Sequence, residues 1–269
     1  NRIADGDTRL PTPFITAVTD GVTLDLTSFT GNTLTKVQAW IGIALNQPLW
    51  IRCEGTDRNN TPVTLPIYQG VPIGSNGEQG GPVERNFLDR LSDGSQISVH
   101  VAVNFDGVAN EAVAVQFPVR TYTMRNKLLK IWNFNDNTFQ GWTPQGNYRG
   151  GSLHLSNGAV ATYTDKNVNY SGLVMTTVIH LEAGKTYDFK FAVTAATRIG
   201  RYGTILYLTI NGAAIGSPVD TQNQMNVWKT GSGVYTATST GNVTLGLWNI
   251  VSSPDGNDFL IDNIWFQQR

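Results

Sequence analysis

The stretch 96–107, QISVHVAVNFDG, alternates apolar and polar positions almost without a break. Ile97, Val99, Val101, Val103 and Phe105 fall on one side of it. A period of two places successive side chains on opposite faces of an extended chain, whereas a helix needs a period near 3.6. The same alternation runs through QPLWIRCEG (47–55) and EAVAVQFPVRTYTM (111–124). A strand with one apolar face must bury it against another layer. Many such strands, separated by turn signals such as Asp106-Gly107, predict an all-β chain built of sandwiches. ITAVTDGVTLDL (15–26) reads as a hairpin turning at Asp20-Gly21. The one helical stripe is VERNFLDRLS (83–92), with Val83, Phe87, Leu88 and Leu91 on one side, and it predicts a short helix between strands.

The chain has 269 residues, too many for one small sandwich and comfortable for two. The pattern restarts at RNKLLKIWNFND (125–136), and the second half carries its own strand run from GSLHLSN to DFLIDNIWF. The expected organisation is a linker over 1–9, an immunoglobulin-like β-sandwich over 10–127, and a jelly-roll β-sandwich over 128–269. Only 14% of residues are charged and the formal net charge is −1, so the basic excess of a nucleic-acid binder is missing. No apolar run is long enough to span a bilayer as a helix. Cys53 is the one cysteine, which precludes an intrachain disulfide and reads as an inert core thiol.

Catalytic patterns are not found. His100, His154 and His180 lie in separate strands without metal-ligand spacing. There is no GxSxG elbow, and nothing pairs two carboxylates as a glycosidase requires. The expectation is a chain that binds without doing chemistry.

The last strand poses a specific problem. In GNDFLIDNIWFQQR (256–269), strict alternation puts Leu260, Asp262, Ile264 and Phe266 on one face. A carboxylate inside an apolar row is costly unless it is hydrogen-bonded, paired or metal-bound. Asp262 therefore either ties the strand down through hydrogen bonds or holds a cation.

Ligand-facing residues are sought among aromatics in turn-rich, polar settings. WTPQGNYRGG (142–151) offers Trp142, Gln145, Tyr148 and Arg149 between glycines. RIGRYGT (198–204) offers Arg198, Arg201 and Tyr202. An aromatic face beside a guanidinium can stack on a sugar ring and donate to its hydroxyls at once. Asn249, in GLWNIVSS, is a further polar candidate. The plainer alternative is a pair of solvated turns whose rings pack over the sandwich rim.

The ordered set FNDNTFQGW (134–142), LEAGKTYDFKFAV (181–193), WKTGSGVYTA (228–237) and GNDFLIDNI (256–264) resembles the family 4/9-type carbohydrate-binding modules of the galactose-binding-like jelly-roll superfamily. The first half, with PTPFITAVTDGVTLDL and LWIRCEG, is similar to the immunoglobulin-like modules of large bacterial surface proteins. The first resemblance implies a structural calcium joining the first and last strands. Its ligands would be Asn135 or Asp136 together with Asp262, and Asn135 stands where the family more often has an acid. Together the two imply a non-catalytic, lectin-like C-terminal region of a larger secreted or surface bacterial protein, serving adhesion or targeting through a glycan. A tip that binds a protein receptor, or a spacer without ligand, are the alternative readings.

Overall fold

The computed structural model of the chain describes residues 3–164, 167–197 and 202–269. It divides into two compact units, Asn1–Lys127 and Leu128–Arg269. Both are all-β sandwiches.

Unit 1 contains β1 (Phe14–Ile15), β2 (Thr23–Asp25), β3 (Thr33–Val37), β4 (Pro48–Thr56), β5 (Pro62–Pro72), β6 (Gln79–Val83), β7 (Gln96–Val103), β8 (Val115–Gln116) and β9 (Arg120–Arg125). One sheet runs β1-β3-β6 and the other β2-β9-β7-β4-β5, with β8 also on β7. The alternation in β7 is realised: Ile97, Val99, Val101 and Val103 are buried. The short helix α1 (Arg85–Leu88) buries Phe87 and Leu88. Cys53 is wholly buried, and burial pushes its thiol up to about 12.

One expectation for this half is corrected. Residues 15–26 do not form a hairpin: β1 pairs with β3, whereas β2 runs parallel to β9. Asp20 does make its turn, accepting the N–H groups of Val22 and Thr23, but the turn hands the chain from one sheet to the other. Within the segment read as a linker, Asp5 and Gly6 bond to β8. Gly6 N–H donates to the Gln116 carbonyl, Gln116 N–H donates to Asp5, and Leu10 is buried.

Unit 2 contains β10 (Leu129–Trp132), β11 (Thr143–Pro144), β12 (Leu153–Ser156), β13 (Ala159–Thr162), β14 (Gly172–Leu181), β15 (Thr186–Ala195), β16 (Ile205–Ile210), β17 (Ala213–Asp220), β18 (Lys229–Thr236), β19 (Gly241–Asn249) and β20 (Phe259–Gln268). One sheet runs β12-β13-β20-β15-β18 with β10 also on β20; the other runs β11-β14-β19-β16-β17. Among the described residues the pairings between these strands are antiparallel. Between them lies a core of Phe134, Phe189, Phe191, Leu208, Leu247 and Phe266, among others.

β20 resolves the problem of Asp262. Its register against β15 passes from Ala192↔Asp262 to Lys190↔Trp265, so two residues of β20 stand opposite Phe191. This is a β-bulge, and Asn263 within it takes φ +50°, a left-handed conformation that Asn tolerates. The extra residue shifts the phase of alternation. Phe259 and Ile261 face the core before it, and Ile264 and Phe266 after it. Asp262 is thus excluded from the apolar row that strict alternation assigned to it. Its two oxygens accept the backbone N–H (2.6 Å) and side-chain Nδ2 (2.8 Å) of Asn263.

Candidate functional site

The strand ends of unit 2 gather a pocket of about 340 Å³. One wall is the 3₁₀ turn Gly146–Tyr148, which follows β11 and leans on the start of β14. A second wall is Asn169, Tyr170 and Ser171, leading into β14. The third is Leu173 and Trp248 on the sheet itself. Leu245 and Leu247 of β19 point into the core, so Trp248, one step out of phase, faces away from it. Register places Leu173 and Tyr207 on either side of Trp248. The Trp248 and Tyr207 rings lie nearly parallel, 17° apart in plane with centroids 6.2 Å apart, and both are half-buried. Gly246 lies two residues along the same face, where a Cβ would press on Thr209 and Leu173.

Behind the pocket runs a chain of buried polar groups. The Tyr148 hydroxyl donates to the Tyr170 carbonyl at 2.8 Å and accepts from Asn249 Nδ2 at 2.9 Å. Asn249 Nδ2 also donates to Asn257 Oδ1 (2.8 Å), and Asn249 Oδ1 accepts from Val251 N–H (3.0 Å). Asn257 Nδ2 donates to the carbonyls of Val251 and Ser253. The tyrosine and both asparagines are buried, so each bond replaces water that cannot reach them. The result pins the 3₁₀ turn, the approach to β14 and the β19–β20 connection to one another. Burial also holds the Tyr148 phenol far above its ordinary value, so it stays protonated.

The residues expected to face ligand divide accordingly. Trp142 is 3% exposed and meets Trp132 edge-on at 5.4 Å, so its ring belongs to the core. Tyr148 is 1% exposed: it backs the pocket rather than stacking in it. Gln145 lines the pocket, with Nε2 donating to Thr176 Oγ1 at 3.0 Å. Arg149 is exposed and braces Gln145, with Nη2 donating to Gln145 Oε1 and Nε to the Pro144 carbonyl. Tyr202 is 44% exposed and does not line the pocket, while its N–H donates to the Asp255 carbonyl. Arg198 and Arg201 lie outside the described residues. Asn249 has its role behind the wall, not on it. Trp248 and Tyr207 were missed, although GNVTLGLWN carries the signal: Thr244, Gly246 and Trp248 share the polar side of an alternating strand.

For calcium, the backbone juxtaposition is present, and two of the three expected side chains already accept hydrogen bonds. Trp132 pairs with Ile264, so the chain leaves β10 at Asn133–Asp136 beside Asn263. Asp136, however, is exposed and accepts from Thr138 N–H and Oγ1, which hold its carboxyl below the usual range. Asn135 Oδ1 abuts Gly158. Burial raises the Asp262 carboxyl and the Asn263 N–H opposes that. Among the described residues no three His, Cys, Asp or Glu side chains gather where an ion could sit. Calcium takes six to eight oxygens, backbone carbonyls and water among them, and of the side chains expected to hold it Asp136 Oδ1 and both Asp262 oxygens already accept hydrogen bonds.

One catalytic-looking trio occurs in unit 1. Ser98 Oγ and Glu54 Oε2 lie 2.9 and 3.4 Å from His100, both at Nε2. A relay needs the acid on the opposite ring nitrogen, so this trio is a surface polar contact.

No protein-family model matches the chain, and no curated protein matches it. Among solved structures the chain is similar to the C-terminal domain of EclA, a sugar-binding protein, at 26% identity over 50% of this chain and 95% of that one, TM-score 0.38. It is similar to the CBM22-1 xylan-binding domain of Paenibacillus barcinonensis Xyn10C at 16% identity over 52% and 92% of the two chains, TM-score 0.37. It is also similar to the C-terminal CBM6 of LamC from Zobellia galactanivorans at 13% identity over 52% and 98%, TM-score 0.31. Likeness at this level leaves function to be argued from the geometry of this chain.

Proposed function

We propose that unit 2 is a non-catalytic glycan-binding module of the carbohydrate-binding kind, with its site in the pocket beside Trp248. The carrying observation is the combination of a half-buried Trp face with polar groups left unspent at the pocket wall. Asn147 spends its Nδ2 on the Asn169 carbonyl and Asn169 spends its Oδ1 on Ser171 N–H. Among the described residues nothing bonds to Asn147 Oδ1, Asn169 Nδ2 or Ser171 Oγ, which remain for a ligand. A sugar ring offers an apolar C–H face to stack and a rim of hydroxyls to bond, which is this arrangement in complement. In this reading the chain is a region of a secreted or cell-surface bacterial protein, and its binding serves adhesion or targeting.

The test is a glycan array probed with the full chain and with Trp248→Ala. Loss of a packed aromatic anchor costs about 2 kcal/mol or more, about thirtyfold in Kd. An array silent to the folded wild type, or indifferent to Trp248→Ala, refutes the proposal. A protein receptor is the second reading, and it has its own observation: Ile41, Leu45, Val108 and Val113 of unit 1 are all more than half exposed, in the two loops that meet β4 and β7 at one end.

A further inference from the structure

The shape and charge of the same pocket narrow the ligand, granted that the pocket binds glycans at all. Among the described residues its lining holds amides, a hydroxyl, glycines, Leu173 and aromatic rings, and no Lys, Arg, His, Asp or Glu. Arg149, next to the pocket's 3₁₀ turn, is turned onto the Pro144 carbonyl and Gln145 Oε1. A carboxylate or sulfate entering here would give up water without meeting a cation, which is unfavourable. The pocket is also small. At about 340 Å³ it sits at the lower end of small-ligand sites. It is backed by Tyr148 and Tyr170, both buried, and by the Asn249–Asn257 pair behind them, so a chain cannot run through that side. Its apolar wall is different: Trp248 continues in register onto Tyr207, outside the pocket, with its ring nearly parallel.

We infer that the pocket takes the uncharged terminal ring of a glycan, and that the following ring leaves over Tyr207 along the face of the sheet. Trp248 serves both positions. The polar groups Asn147 Oδ1, Asn169 Nδ2 and Ser171 Oγ read hydroxyls of the terminal ring alone. The site therefore rejects glycans capped by an acidic sugar and those that have no free end.

The experiment is calorimetric titration of the full chain with three probes. These are the tightest neutral oligosaccharide found on the array, the same oligosaccharide capped with a sialic or uronic acid, and a cyclic oligosaccharide of the same sugar. The acid cap should weaken binding at least tenfold, and the cyclic form should not compete. Tyr207→Ala should weaken the oligosaccharide severalfold while leaving the matching free monosaccharide unchanged, whereas Trp248→Ala weakens both. Equal affinity for capped and uncapped forms, or competition by the cyclic form, overturns the inference while glycan binding itself stands. Equal losses of oligosaccharide and monosaccharide in Tyr207→Ala overturn the placement of the second ring. If no glycan binds the folded wild type, both this inference and the reading on which it rests fall.

Discussion

Replacing Asn249 by Ala deletes the hub of the buried polar chain behind the pocket. Three hydrogen bonds go: those to the Tyr148 hydroxyl, to Asn257 Oδ1 and from Val251 N–H. The damage is unequal. The Tyr148 hydroxyl still donates to the Tyr170 carbonyl, and Asn257 Nδ2 keeps both its carbonyls. Asn257 Oδ1 is left in a wholly buried position with no donor, and the half-buried Val251 N–H loses its acceptor. A stranded buried polar atom costs about 1–3 kcal/mol, and a partly hydrated one falls at the low end. The sum is a loss of about 2–4 kcal/mol from unit 2. Native-state hydrogen exchange of the β19 and β20 amides in the full chain reads this directly, because those central strands open only with the unit. A change under about 0.5 kcal/mol, the scale of an ordinary surface substitution, would refute the reasoning: the amides would then be exchanging partners with water and pinning nothing.

The remaining expectations concern β18 and β20. A Cβ at Gly231 would overlap the ring of buried Phe191, so Gly231→Ala should cost about 1–3 kcal/mol by over-packing, while neighbouring Ser232→Ala, exposed, should change a thermal melt little. Because burial raises the Asp262 carboxyl, the folded state holds that proton more tightly than the unfolded state does. Its contribution to stability thus appears as pH falls through the raised value and is absent at pH 7. Asp262→Asn should remove that slope without lowering stability at pH 7, and a chelator should leave the melting temperature unchanged. A fall in the melting temperature under chelator would show that the chain holds a cation that stabilises it.

Sequence patterning disclosed the layers and hid the places where layers change. β7 and long stretches of β14, β15 and β19 follow alternation, so their core faces can be read directly there. Residues 15–26 looked like a hairpin because Asp20-Gly21 is a sound local turn, yet the partners of its two strands lie far away in the chain. β17 went unseen, since AAIGSPVD is an exposed edge strand with little apolar content. Asp262 was misplaced by a single bulged residue, whose only trace in sequence is an Asn able to adopt positive φ. The glycines around Tyr148 suggested a ring held out to solvent. They instead allow the tight turn that tucks it under Asn249. Trp248 was passed over, although period alone marks it as a large aromatic on the small and polar side of its strand.

The pairing of β10 with the far end of β20 fixes how unit 2 can be carried. Leu129 stands opposite Gln267, so both ends of the unit emerge side by side. The pocket lies at the opposite pole, where β19 hands over to β20 through Asn249 and Asn257. A connection made where the two ends emerge leaves the pocket open, because the strand ends there share none of its lining. The same adjacency sets its response to load. Tension across the two ends peels β10 from β20 one rung at a time, and the pocket pole is the last part of the unit to feel it.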